Sequence, residues 1–232
     1  MKILKRLLRI VPHVRVLRSL RGDTALGLFD RNYYAATCHS VSAKVFPLLH
    51  FLVVGAFEGR KPHPLFDTEF YVRRYPEIAA SDLNPLVHYL ALGGVEGRQP
   101  HPLFDAQYYL ARYADVREAG VNPLLHFVRH GAFEGRKPHR LFQPDYYLRR
   151  YPDARRSGAN PLVHFLEAGH KNPQSPHPLF DGQCYLHANP DVAASGVNPL
   201  VDYALSESRR RMAVEGACQV GLHLEELQNG VQ

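Results

Sequence analysis

A histidine recurs at a regular interval in this chain, and neutral imidazoles are common metal ligands and proton carriers. The recurring positions are His50, His88, His126 and His164. A zinc ion needs imidazole nitrogens at ~2.0–2.1 Å, whereas equivalent positions of stacked helical units are separated by at least the ~8–10 Å between helix axes. This spacing favours a structural hydrogen bond from each His to a neighbouring carbonyl or linker. No metal and no cofactor are predicted.

A second set of histidines precedes each Leu-Phe pair in the linkers: His63, His101, His139 and His177. Two-His sites would form only if this set met the first set across a boundary between units. The spacing alone does not decide whether the two sets meet.

Three arginines recur in a Glu-Gly-Arg turn, at Arg60, Arg98 and Arg136. One interpretation makes them fasteners between units, with Arg60 reaching Asp67 and Arg98 reaching Asp105. The alternative is a line of anion-binding or glycan-binding groups on one face. The glycine of each turn is expected to have a positive φ, which glycine adopts without steric cost.

A tyrosine recurs at Tyr71, Tyr109, Tyr147 and Tyr185 and would suit stacking against a sugar ring. A recurrent aromatic on an amphipathic helix is more often part of the core. The chain also lacks G-x-S-x-G, G-x-G-x-x-G, G-x-x-x-x-G-K, H-E-x-x-H and D-x-D motifs. The sequence therefore predicts a chain that is not an enzyme.

These residues belong to a motif that occurs five times at a nearly constant spacing. The copies begin at Leu28-Phe29, Leu65-Phe66, Leu103-Phe104, Leu141-Phe142 and Leu179-Phe180. A second anchor follows at Phe46-Pro47, Asn84-Pro85, Asn122-Pro123, Asn160-Pro161 and Asn198-Pro199. A fixed period of this length is typical of stacked units that cannot bury their apolar faces alone.

Within one unit, residues that commonly begin or end helices predict three helical segments. Asp67 can cap a first helix, and this helix must end near Tyr75, because a proline disfavours helical geometry in the residue before it. Pro76 can open a short second helix and Asn84-Pro85 a third, which Gly93 is expected to end in left-handed geometry. The predicted fold is an all-α helical repeat array, a solenoid of five units of about 38 residues, each helix–short helix–helix–linker. The phenylalanines expected to be buried at unit boundaries are Phe66, Phe104, Phe142 and Phe180.

The predicted domains are a basic amphipathic N-terminal helix or cap over residues 1–27, the solenoid over 28–211 and a weakly structured tail over 212–232. The first and last copies diverge, with Phe46 in place of Asn and Asp202 in place of His. Atypical terminal copies are expected in a repeat array, because its outermost faces meet water.

Positive charge is concentrated at the N-terminus. Residues 1–22 hold seven Lys and Arg and no acid, while the whole chain has a net charge of +6. The units are therefore close to neutral, and no nucleic-acid partner is predicted. Leu4, Leu7, Leu8 and Val11 lie on one face of a possible helix. Three interpretations stay open: a cap or partner-docking segment, peripheral contact with an anionic membrane, and a disordered basic arm.

The Phe-Asp-x-x-Tyr-Tyr … Asn-Pro-Leu-x-His … Glu-Gly-Arg pattern, clearest over residues 104–138, resembles a bacterial repeat found beside glycosyltransferase domains in polysaccharide-biosynthesis proteins. The resemblance covers residues 28–205 and carries over no catalytic residue. It implies a scaffold accessory to surface-polysaccharide biosynthesis, with a glycosyltransferase or another glycan-assembly protein as its partner. The alternatives are a polysaccharide-binding module that uses the recurrent Tyr and Arg, and a truncated glycosyltransferase that lacks its catalytic domain.

Three cysteines without a C-x-x-C pair favour a reducing compartment, and no apolar run approaches the ~18–20 residues that span a bilayer. A cytoplasmic location is therefore expected. Contact with the periphery of the inner membrane is left open.

Overall fold

The computed structural model describes residues 27–81, 83–168 and 174–207. These residues form helices and connecting turns, without a named strand among them, and the all-α prediction is confirmed. In the described part of the chain, no helix is both long enough and apolar enough to cross a membrane.

Each unit contains a first helix, a short second helix and a third helix, in the predicted order. The first unit holds α1 (Arg31–Thr37), α2 (Val41–Val45) and α3 (Pro47–Val53), and the second holds α4 (Thr68–Arg74), α5 (Pro76–Ala80) and α6 (Pro85–His88). The third holds α7 (Ala106–Arg112), α8 (Ala114–Glu118) and α9 (Pro123–His126), and the fourth holds α10 (Pro144–Arg150), α11 (Pro152–Ser157) and α12 (Pro161–Ala168). The fifth holds α13 (Gly182–Ala188), α14 (Pro190–Ser195) and α15 (residues 199–207). A 3₁₀ turn (Gly55–Glu58) follows α3, and π-helical turns (Tyr89–Gly93 and Phe127–Gly131) continue α6 and α9.

The predicted caps position the first and second helices. The Asp67 carboxylate accepts the Phe70 N–H at 2.8 Å, which satisfies a free amide of the first turn of α4. Helix α4 ends before Tyr75, its C-cap, and Pro76 occupies the first turn of α5. In the fourth unit Gln143 makes no capping bond and Pro144 opens the helix instead. The short second helix is therefore fixed by a proline or by the turn that precedes it.

Asparagine side chains connect the second and third units to the units before them. The Asn122 Oδ1 accepts the Leu125 N–H at 3.1 Å, while its Nδ2 donates to the Tyr89 carbonyl of the preceding unit at 3.2 Å. Asn84 makes the same pair of contacts, with the Leu52 carbonyl as its acceptor at 3.5 Å. One buried amide thus caps its own helix and also fixes the spacing between neighbouring units.

A backbone hydrogen bond joins the two ends of each of the first four units. The N–H of Asp67, at the start of the second unit, donates to the Pro100 carbonyl at its end, 3.0 Å away. The same bond joins Asp30 to Pro62, Asp105 to Pro138 and Gln143 to Pro176, at 2.9 to 3.1 Å. The array also coils: Tyr33 and Lys61 of the first unit line one cavity together with Leu166 and Glu167 of the fourth.

The predicted phenylalanines are buried, but their ring contacts lie within their own units rather than across the predicted unit boundaries. Phe66, Phe104 and Phe142 are fully inaccessible and Phe180 is almost so. Phe66 packs 5.4 Å from the Tyr71 ring and 5.5 Å from the Tyr89 ring, and the ring pairs recur in later units. Three aromatic rings from the linker, the first helix and the third helix therefore form the centre of each unit, in the tilted arrangements that ring quadrupoles favour.

The prediction that Gly93 ends the third helix in left-handed geometry is wrong. Left-handed backbone occurs later in the chain, at Gly97 with φ of 72°, in the Glu-Gly-Arg turn where a positive φ was predicted. Gly93 lies in a π-helical turn, and a Cβ there would approach the Tyr71 hydroxyl oxygen to 2.2 Å. This glycine is needed for space rather than for its backbone angle.

The two terminal segments lie outside the described residues, apart from Gly27. The predicted N-terminal helix over 1–27, with Leu4, Leu7, Leu8 and Val11, and the tail over 212–232 therefore stay predictions. The solenoid is described up to residue 207.

The close approach of a glycine to a tyrosine hydroxyl can be tested in the third unit, where Gly131 is equivalent to Gly93. In Gly131→Ala the new Cβ would lie 2.1 Å from the Tyr109 hydroxyl oxygen, and overpacking of this kind lowers the free energy of unfolding by ~1–3 kcal/mol. Tyr109→Phe removes the oxygen, so we expect Gly131→Ala/Tyr109→Phe to be clearly more stable than the sum of the single changes. Urea unfolding of the three variants measures this coupling, and additive effects would contradict the steric explanation.

Candidate functional site

The recurring histidines bind the recurring tyrosines. The tyrosine hydroxyl and the histidine Nδ1 are 2.8 to 3.0 Å apart in the pairs Tyr34–His50, Tyr71–His88, Tyr109–His126 and Tyr147–His164. In the fifth unit the Tyr185 hydroxyl donates to the Asp202 carboxylate at 2.8 Å. The predicted hydrogen bond is present, but its partner is a tyrosine hydroxyl of the same unit rather than a carbonyl or a linker.

Burial favours the neutral forms of Tyr71 and His88. It raises the pKa of Tyr71 well above its ordinary value. Burial, together with the positive charge of Arg98, lowers the pKa of His88. A neutral phenol and a neutral imidazole share one hydrogen bond without a buried charge, so each pair satisfies two polar groups of the core. The substitution of Asp202 for His preserves this bond, which shows that the position needs a hydrogen-bond partner for tyrosine.

The linker histidines make a different bond. The Nδ1 of His63 and that of His101 each accept the N–H of the leucine that follows the next proline, at 3.0 Å, and His139 and His177 bond equivalent leucines at 3.2 and 3.1 Å. Their Nδ1 therefore carries no proton, and the proton of the neutral ring is on Nε2. Within the described residues, no group of three or more His, Cys, Asp and Glu could hold a metal ion.

The arginines do not fasten one unit to the capping aspartate of the next, so that prediction is wrong. Arg98 pairs with Glu96 at 2.6 Å and with Glu77. Arg136 similarly pairs with Glu134 at 2.6 Å and Asp115 at 2.8 Å. Asp67 is bound instead by Lys61 at 2.7 Å.

The arginines pair within their own units because of a second recurrent tyrosine, whose role was not predicted from the sequence. Tyr75 and Tyr113 lie between the first and second helices, with the guanidinium carbons of Arg98 and Arg136 each 4.9 Å from a ring centroid. The Tyr75 hydroxyl also accepts the Gln99 N–H at 2.9 Å. Each arginine is therefore held over a ring of its own unit by a cation–π contact, between one carboxylate of the second helix and one of the turn. The recurrent Tyr before Pro or Ala was the signal for this arrangement.

The first unit lacks this arrangement, because Cys38 stands where the second, third and fourth units have the second tyrosine. Arg60 pairs only with Glu58, at 3.0 Å, among the described residues. Its side chain is 41% exposed, compared with 23% for Arg98 and 19% for Arg136. Anion binding by the three arginines as one line would have to displace two carboxylates at each of the later two positions.

The tyrosine column is part of the core. Tyr71, Tyr109 and Tyr147 are fully buried, as the amphipathic pattern favoured, and Tyr185 is partly buried. A ring without an accessible face cannot stack on a sugar. Tyr71, Tyr109 and Tyr147 therefore cannot supply the aromatic platform of a glycan site.

Apolar side chains that the sequence analysis did not single out are exposed at the junctions between units. One set, in the Glu-Gly-Arg turn, contains Val95 and Phe133, and a second set, just before the capping asparagine, contains Leu83, Val121 and Val197. At the first junction Phe57, equivalent to Val95, and Leu83 line one groove of about 490 Å³ with Ile78 and Pro85. Glu58, Glu69 and Arg73 add charge to the lining of this otherwise mostly apolar groove. We call this series of positions the junction row.

A smaller polar cavity of about 290 Å³ lies where the first unit faces the fourth and fifth. Burial by itself would raise the pKa of Asp67, but Lys61 and the Phe70 N–H lower it overall. His101 is also in this lining, and its Nδ1 is already bonded. The charged groups of this cavity therefore stabilise the coil.

No family model, no curated protein and no solved structure matches this chain.

The buried linker histidines predict a loss of stability in mild acid. Burial lowers the pKa of His63 to about 4 and that of His101 as well, whereas an unfolded chain titrates its histidines near ~6.5. Each ring stays neutral in the folded state, so protonation favours the unfolded state as the pH falls below ~6.5. We expect the free energy of unfolding to fall by up to ~1.4 kcal/mol per pH unit for each such histidine between pH ~6.5 and ~4.5.

His101→Asn keeps an acceptor close to the position of Nδ1 and removes the titrating group. Urea unfolding at a series of pH values should show a smaller pH dependence in this variant than in the parent chain. His187→Asn is the matched control, because His187 is exposed on α13. A pH dependence that His101→Asn leaves unchanged would contradict this assignment.

Proposed function

We propose that this chain is a non-catalytic repeat scaffold that binds a protein partner of surface-polysaccharide biosynthesis, a glycosyltransferase or another glycan-assembly component. The junction row is the observation that carries the proposal. Its apolar side chains recur at the same positions of successive units and are exposed. Repeated exposed apolar positions on a rigid array are a common way to present an extended binding surface.

The bonding of the recurrent polar groups supports a structural rather than a catalytic role for them. His88 and His126 are bonded to tyrosines, and Arg98 and Arg136 each hold two carboxylates. A nucleophile or a general base needs a side chain that reaches the substrate. These groups instead stabilise the unit in which they lie.

The shape of the first junction supports a protein ligand. Its groove is mostly apolar, with Glu58, Glu69 and Arg73 in its lining. An apolar centre with a few charged groups is typical of protein–protein interfaces, in which buried apolar anchors supply affinity and polar groups supply orientation. A polyhydroxylated sugar would be a poor match for such a mostly apolar groove.

The class of partner comes from the resemblance of residues 28–205 to the repeat found beside glycosyltransferase domains. Polysaccharide binding through the recurrent Tyr and Arg is disfavoured by the burial of Tyr71, Tyr109 and Tyr147. A truncated glycosyltransferase is an alternative in which the same array would hold a catalytic domain in cis rather than in trans. Both versions give the array the same binding role.

A binding experiment with purified proteins tests the proposal. The candidate partner is the glycosyltransferase encoded nearest to the gene for this chain. We expect saturable binding, and we expect Phe133→Asn to weaken it by roughly tenfold, because an exposed aromatic anchor of an interface contributes over ~1 kcal/mol. Isothermal titration calorimetry measures both affinities.

Phe46→Asn is the matched control, because Phe46 is 63% exposed and Phe133 62% exposed, and Phe46 lies outside the junction row. It should bind the partner like the parent chain. Equal weakening by both substitutions, or no binding by the parent chain, would contradict a partner site on the junction row.

Absence of catalysis is tested separately. We expect the purified chain to release no nucleoside diphosphate from UDP-sugars or GDP-sugars in the presence of acceptor glycans. Turnover that a single substitution in the chain abolishes would overturn the non-catalytic assignment.

A further inference from the structure

The N-terminal end of the described array exposes a compact set of apolar side chains that the junction row does not include. Val41 and Val45 are one turn apart on α2, and Phe46 and Leu49 are one turn apart at the start of α3. All four side chains are exposed, Phe46 by 63%. We call these residues the end face.

Comparison with later units shows that this exposure is specific to the first one. The position of Phe46 is Asn84 and Asn122 in the next two units, where the amide is buried and bonds to the preceding unit. The position of Leu49 is Val87 and Leu125, both of which are buried. In the first unit the capping polar group is replaced by a phenylalanine that makes no side-chain capping bond. The cap of α3 has thus been exchanged for an exposed aromatic ring.

The chain segment that contains the end face carries basic residues and no acidic residue. Lys44 is exposed between Val41 and Val45, and the chain from residue 31 to residue 57 contains no acid. Residues 1–22, which precede this unit, carry seven basic residues and no acid. The N-terminal quarter of the chain therefore combines exposed apolar groups with a concentrated positive charge, while the remaining units are close to neutral.

We propose that the end face docks on an anionic lipid bilayer surface, with Phe46, Val41, Val45 and Leu49 inserted at the level of the headgroups. Apolar side chains in a basic surround are the combination that binds such surfaces, because insertion and attraction to anionic lipid act together. This proposal does not depend on the proposed partner binding. It would place the array with its N-terminal unit on the membrane and its junction row exposed for a partner.

The charge distribution favours lipid over the other occupants. A cap formed by residues 1–22 would bring seven more basic residues against a segment, residues 31–57, that holds Arg31 and Lys44 and no acid. A second copy of the chain would bring the same basic end face against its own image. Both arrangements accumulate like charges, whereas an anionic bilayer neutralises them.

The test is co-sedimentation of the full chain with vesicles of phosphatidylcholine mixed with phosphatidylserine, compared with vesicles of phosphatidylcholine alone. We expect binding to the anionic vesicles only, weakened when salt screens the charges. Phe46→Asn should reduce the partition coefficient by roughly tenfold, because it removes the largest inserted side chain. Asn occupies this position in the other four units, so this variant is expected to fold. Val45→Thr is a second variant with a smaller expected loss.

Phe133→Asn, which removes an equally exposed phenylalanine from the junction row, is the matched control and should sediment like the parent chain. Two results would overturn the proposal. One is unchanged vesicle binding by Phe46→Asn, particularly if its melting temperature falls, as removal of an intramolecular apolar contact would require. The other is a change in oligomeric state by Phe46→Asn in the absence of lipid, measured by size-exclusion chromatography with light scattering, which would assign the end face to a second copy.

Discussion

The structure depends on one recurrent hydrogen bond, which gives a partner to the tyrosine hydroxyl at the centre of each unit. The hydroxyls of Tyr71 and Tyr109 each need a partner, because an unpaired buried polar group costs ~1–3 kcal/mol. His88 and His126 supply that partner at 2.9 and 3.0 Å. The ring can approach closely only because the third helix has a glycine opposite the hydroxyl. Tyrosine, histidine and glycine therefore occur together in the first three units, where the glycine leaves space for the hydroxyl and the histidine bonds it.

At the contacts between units, a single side chain also makes more than one structural bond. The Asn122 amide caps a helix with its oxygen and holds the preceding unit with its nitrogen, while the linker of each unit bonds to its own first residue. The second and third units are thus each joined to the preceding unit by a side-chain bond, while a backbone bond joins the two ends of a single unit. The first unit has no earlier copy of the motif in this chain for an asparagine to hold, and there the sequence has Phe46 instead. The chemistry of the first unit therefore differs from that of the second and third units, where Asn84 and Asn122 hold the unit before them.

The residues proposed to bind a partner or a membrane are not the recurrent polar residues of the repeat. The recurrent His, Arg and Tyr first attract attention because their types could do chemistry, yet the structure uses them as bonds and as core. By contrast, Val95 and Phe133 of the junction row and Phe46 of the end face are exposed in the described structure. Exposed apolar surface is costly to keep in water, so these two surfaces are where binding is proposed.

The sequence by itself determined the helical units, their boundaries and the buried phenylalanines, because Asp, Asn and Pro act locally on backbone amides and the aromatic period is constant along the chain. Only the tertiary structure decided which carboxylates Arg98 and Arg136 bind, because Tyr75 and Tyr113 hold them within their own units. It also decided the role of Gly93, which leaves space for the hydroxyl of Tyr71 on the first helix of the same unit. Capping residues and prolines act on neighbouring backbone groups, so their effects can be predicted directly from the sequence. The contacts of Arg98, Arg136 and Gly93 depend instead on how the first, second and third helices of a unit approach one another in space.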